Sequence, residues 1–167
     1  MSVRARCRWA ALTLLLALSS PLGAAAKETS TTSWLLVAEG GVLGLDGAAA
    51  AFAGLEIRFR PVRWGIYPLG GFLASADGSS HVRLGLGRDF RVTERFVVAL
   101  NSAAGYWERG DGPDLGHDLE FRSALDLACR LREDLRVGLT VAHLSNASIA
   151  DSNPGVETLS LSVAWRP

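Results

Sequence analysis

Residues 119–131 alternate clearly, with Leu119, Phe121, Leu125, Leu127, Cys129 and Leu131 opposing Glu120, Arg122, Ala124, Asp126, Ala128 and Arg130. A period of two places successive side chains on opposite faces of a strand. The face opposite the leucines carries both signs of charge. Such a strand has two solutions. In a soluble sandwich or lipocalin-like barrel, the leucines face a core and the charges face water. In a small membrane barrel, the leucines meet lipid while the charges pair in the interior. Alternation by itself fits both.

The same pattern recurs along the chain. Residues 52–59 set Leu55, Ile57 and Phe59 against Glu56 and Arg58, and residues 82–90 set Val82, Leu84, Leu86 and Phe90 against Arg83, Gly85, Gly87 and Asp89. Weaker strands, rich in glycine and alanine, fall near 34–44, 63–73 and 96–107. Two more run through Val137–Ser145 and Glu157–Trp165, making eight. No amphipathic helix and no internal repeat interrupts them. Breaks near Arg60–Arg63, Val92–Arg95 and Arg132–Asp134 are short. Those near Asp46–Ala50, Ser75–Ser80, Arg109–Asp118 and Asn146–Gly155 tend to be longer and rich in Gly, Asp and Ser. Tight turns alternating with longer polar loops are the signature of an outer-membrane barrel with its short turns in the periplasm.

The start of the chain agrees. Arg4, Arg6 and Arg8 precede an apolar stretch, Ala10–Leu18, and a small-residue region ending in Ala24-Ala25-Ala26. This reads as a secretory signal peptide over residues 1–26, since the apolar stretch is about half of what a spanning helix needs. Cleavage before Lys27 leaves 141 of the 167 residues (27–167) as one domain, with a formal charge of −3 because three arginines leave and no acid does. A negative balance argues against a nucleic-acid partner. Cys7 departs with the signal, so Cys129 is alone and no intramolecular disulfide can form. A disulfide-stapled secreted scaffold is thereby excluded. The reading is therefore all-β, an eight-stranded antiparallel transmembrane barrel of the outer-membrane type. Many such barrels end on an aromatic residue; here Trp165 lies on the outward face and two residues follow it.

The last two strands carry the chemistry. His143 and Ser145 extend the apolar face of Val137, Leu139 and Val141, and Glu157 extends that of Leu159, Leu161 and Val163. Pairing residues whose numbers sum to 300 sets His143 opposite Glu157 and makes both strand ends coincide. Opposed Cβ atoms lie about 5 Å apart, within reach of an imidazole–carboxylate hydrogen bond. An imidazole, a hydroxyl and a carboxylate are the parts of a nucleophilic triad. Taken singly, the same residues also fit a loop entrance where Ser and Asn make turn hydrogen bonds. His81 and His117, near strand and loop ends, are expected to be solvated. No Cys/His cluster has metal-ligand spacing, no phosphate-cradling loop appears, and neither metal nor cofactor is expected.

His143-Leu144-Ser145-Asn146 followed by Gly155-Val156-Glu157 resembles the paired motif of the lipid A 3-O-deacylases, the PagL-type outer-membrane esterases. The resemblance covers the last third of the chain well, reaches weakly upstream through Leu115-Gly116 and Leu119-Glu120-Phe121-Arg122, and elsewhere rests on the strand pattern. It implies Ser145 as nucleophile, His143 as its base and Glu157 as the group orienting the imidazole. It also implies that Asn146, with a backbone N–H of the following loop, meets the oxyanion. The implied substrate is lipid A of lipopolysaccharide, cut at an ester-linked acyl chain in the outer membrane of a Gram-negative bacterium. A homodimer, a non-enzymatic adhesion or membrane-stabilising barrel, and an acyl transferase remain open. One position departs from the family: Ser148 stands where its members commonly have glycine. Serine is harmless there if its φ is negative and costly if positive; the intact motif favours a negative φ.

Overall fold

The computed structural model describes residues 34–45, 47 and 49–167. The proposed signal peptide lies outside them. Eight strands follow in order: β1 (Trp34–Leu43), β2 (Ala50–Phe59), β3 (Ile66–Ser75), β4 (Ser80–Arg91), β5 (Phe96–Glu108), β6 (Leu119–Arg130), β7 (Leu135–Ser145) and β8 (Val156–Trp165). Each pairs antiparallel with the next, and β1 pairs with β8 to close the barrel. Closure satisfies every sheet edge, which a bilayer requires because it offers no water to unpaired backbone groups.

The alternation sorts as read. Leu55, Ile57, Leu84, Leu86, Leu127, Leu139, Leu161 and Val163 are exposed on the outer wall. Glu39, Glu56, Arg58, Arg83, Arg122 and Asp126 are buried in the lumen. There they pair across strands distant in sequence. Arg83 reaches Glu39 at 3.1 Å and Glu56 at 3.0 Å, Arg122 reaches Glu39 at 3.1 Å, and Arg58 holds both Glu56 and Asp126. Glu39 also accepts from Ser160 on β8 at 3.1 Å. Gly71 makes room for this ladder, since a Cβ there would meet the Arg83 guanidinium at 2.9 Å.

The lumen is not polar throughout. At the end where the longer loops lie, Leu43, Phe52, Leu73, Trp107, Leu115, Leu144 and Val156 form an apolar plug. With a second cluster of Tyr67, Leu69 and Ala103, it explains why β1 and β3 alternate weakly: Leu43, Leu69 and Leu73 point inward, so both faces of these strands carry apolar residues. His81 belongs here too, contrary to the expectation of a solvated ring. Its place between Ser80 and Val82 turns it inward, fully buried, where it meets Trp107 edge-on with ring centroids 6.2 Å apart. His117 is exposed, as expected, and its Nδ1 accepts from the Leu119 N–H at 2.8 Å. Loop asymmetry is weaker than the sequence suggested. The connection 76–79 is short, whereas 60–65 at the opposite end holds a 3-10 turn, Arg63–Gly65.

Candidate active site

Leu144 and Val156 are the inner anchors of the site. Both are buried in the plug, and period two then forces their neighbours His143, Ser145 and Glu157 outward. The register of β7 with β8 places His143 opposite Glu157, Val141 opposite Leu159 and Leu135 opposite Trp165, as the sum of 300 requires. His143 Nδ1 and Glu157 Oε1 are 3.1 Å apart, with the two side chains 50% and 43% exposed. With the carboxylate at Nδ1, the other ring nitrogen is left for a hydroxyl.

Ser145 is the next outward residue above His143 and half-buried. Among the described residues it makes no side-chain hydrogen bond to the ring; catalytic hydrogen bonds often tighten only around substrate. Gly155 closes the site from the side. Its φ is +69°, and a Cβ there would lie 2.7 Å from His143 Cε1 and 3.1 Å from Nε2. The glycine of the second motif segment therefore leaves space for the imidazole.

Asn146 stands differently from the expectation. It is fully buried, and its Nδ2 donates to two carbonyls, Leu115 O at 2.8 Å and Ser152 O at 2.7 Å. Its Oδ1 accepts from the Ser148 N–H at 2.9 Å. Every donor of the amide is engaged in holding the loop, and so is the Ser148 N–H, so neither group is free for an oxyanion in this conformation. Asn153, which sequence reasoning passed over, completes the clamp. Its Oδ1 accepts from the Asn146 N–H at 3.0 Å and its Nδ2 donates to Ser148 Oγ at 3.3 Å. The Asn153-Pro154 pair was the available signal, as a turn-forming dipeptide. The expectation for Ser148 is also reversed. Its φ is +64°, following Ala147 at +54°, so two side-chain-bearing residues sit consecutively in the left-handed region. The clamp imposes this shape on the loop at a cost of about 1–2 kcal/mol per residue.

Among the described residues no group of His, Cys, Asp and Glu could hold a metal ion. The arrangement comprises a polarised imidazole, a hydroxyl beside it and an apolar wall below, at one end of a lipid-facing surface. Leu139, Val141 and Leu161 continue that wall.

The profile of the lipid A 3-O-deacylase (PagL) family matches residues 53–166, well beyond the motif-bearing third. No curated protein matches the sequence. Among solved structures, the outer-membrane enzyme PagL aligns with a TM-score of 0.61 at 17% identity, over 80% of this chain and 99% of that one. A de novo designed transmembrane β-barrel aligns with a TM-score of 0.60 at 11% identity, over 84% and 100%. Neisserial surface protein A aligns with a TM-score of 0.53 at 10% identity, over 83% and 98%. At these identities the structural likeness carries the fold, that of outer-membrane barrels.

Proposed function

The chain belongs to the lipid A 3-O-deacylase family, and on that premise we propose that it hydrolyses the ester-linked 3-O acyl chain of lipid A through Ser145, His143 and Glu157. The observation that carries this reading is the His143–Glu157 pair on the outward wall, with Ser145 beside it. An exposed pair of ionisable side chains on a lipid-facing surface is expensive unless it has a task.

In the proposed reaction the Ser145 hydroxyl attacks the ester carbonyl while His143 takes its proton. Glu157 holds the ring in the needed tautomer and stabilises the imidazolium. The tetrahedral intermediate collapses as His143 returns the proton to the departing sugar oxygen. Water, activated by the same imidazole, then releases the fatty acid from Ser145. With Asn146 and the Ser148 N–H committed to the loop, the Ala147 N–H is the donor left over in that turn for the oxyanion. Asn146 becomes a positioning residue. The substrate keeps its chains against Val141 and Leu159 and need not enter water, as befits an enzyme working within the outer membrane of a Gram-negative bacterium.

The test is mass spectrometry of lipid A incubated with the purified barrel in detergent micelles. Wild type should release one acyl chain and Ser145→Ala none, with unchanged gel mobility of the unboiled protein. An unaltered lipid A, or a Ser145→Ala variant as active as wild type, would overturn the assignment. The first result would favour a non-enzymatic barrel.

A further inference from the structure

Away from the strand ends, the described outward side chains are apolar with two exceptions. One is Arg88, which lays its guanidinium over Phe90. The other is a single row of paired residues: Glu157 on β8 opposes His143 on β7, His143 opposes Ser123 on β6, and Ser123 opposes Ser102 on β5. Four neighbouring strands thus present polar groups in one line, which ends against Leu86 on β4. The next row below on the same strands reads Leu159, Val141, Leu125 and Leu100. The row above reads Ser145, Phe121 and Ala104.

Ser102 is exposed and Ser123 half-buried, and neither hydroxyl has a hydrogen-bond partner among the described residues. An unpaired hydroxyl facing hydrocarbon is unfavourable. The row also descends. His143 stands two residues below the loop end of β7, Ser123 four below that of β6, and Ser102 six below that of β5. Strand spacing puts successive members about 5 Å apart.

We propose that Ser123 and Ser102 form a subsite that hydrogen-bonds a second acyl linkage of the same lipid, an ester or amide carbonyl or an acyl-chain hydroxyl, while Ser145 attacks the first. The inference rests on the proposed deacylase reading and deepens it. The chemical class is an amphiphile with several acyl linkages within about 10 Å of one another, two strand spacings. A single-chain ester engages the triad and leaves both serines unused. The pair therefore selects multi-acylated lipids and fixes which linkage meets the nucleophile.

The test uses Ser102→Val, Ser123→Val and the double variant in detergent micelles, each assayed on lipid A and on a single-chain p-nitrophenyl ester. The ratio of kcat/KM for lipid A to that for the ester should fall roughly fivefold to tenfold for each serine. An unchanged ratio overturns the proposal, including the case in which both substrates lose rate equally. A second readout is independent of catalysis: retention of lipid A by the Ser145→Ala barrel in native mass spectrometry. Adding Ser123→Val should weaken it several-fold, and equal retention overturns the subsite. If wild type cleaves neither substrate, the triad assignment has failed, and the retention measurement still decides the subsite.

Discussion

At the scale of single residues, Ser148 is where the expectation and the structure part. A positive φ of +64° suits glycine and costs serine about 1–2 kcal/mol. Its Oγ accepts only an exposed 3.3 Å bond from Asn153, at the weak end of the range for hydrogen bonds. Relief of strain therefore outweighs the lost contact. Ser148→Gly should stabilise the barrel, read as a later loss of the heat-shifted band, and Ser148→Ala should not. Stabilisation by both would assign the effect to the lost hydroxyl. The imidazole supplies a second prediction. His143 accepts the serine proton only when neutral, so activity should fall on acidification as the ring protonates. A pH–rate profile flat from neutral into the acid range would contradict a histidine base. His143→Ala should cost nearly as much as Ser145→Ala, because triad members act as a unit.

At the scale of elements, the β7–β8 hairpin is held by what it hides. Leu144 is fully buried in the plug between His143 and Ser145, both of which face outward. Leu144→Ala should cost about 2–5 kcal/mol through the cavity it leaves. It should lower the temperature at which the unboiled band disappears, and lower activity in parallel as β7 loosens. Activity retained at full level in a variant so destabilised would show that the outer wall keeps its geometry without the plug. The loop 109–118 shares in the site through Leu115, whose side chain enters the plug while its carbonyl accepts from Asn146. The faint upstream resemblance at Leu115-Gly116 thus has a structural reason. Gly116 has a φ of +87° and packs against Ser152 and Asn146.

At the scale of the whole molecule, the lumen ladder joins walls that the chain reaches far apart. Glu39 accepts from Arg83, Arg122 and Ser160, drawn from β4, β6 and β8. Removing it leaves two buried guanidinium groups short of a partner. Glu39→Ala should therefore destabilise the barrel by about 3–5 kcal/mol, read as an earlier loss of the heat-shifted band. A neutral outcome would mean that Glu56 takes over both arginines.

Fold and outer geometry were largely legible because they follow from a local rule. A period of two assigns every side chain to a wall, and with coincident strand ends it sufficed to set His143 opposite Glu157. Strand limits came within three residues for the same reason, and the widest gap is at β3, expected at 63–73 and observed at Ile66–Ser75, where both faces carry apolar residues. Only the tertiary structure decided the rest. The meeting of His81 with Trp107, the pairing of Glu39 with arginines 44 and 83 residues away, and the row from Glu157 to Ser102 depend on registers between strands that alternation leaves free. The fate of Asn146 and the left-handed turn at Ser148 depend on three carbonyls and amides brought together by separate loops. A side chain's facing is set by its immediate neighbours along the strand, but its partner is set by closure of the sheet, which joins residues that no local pattern relates.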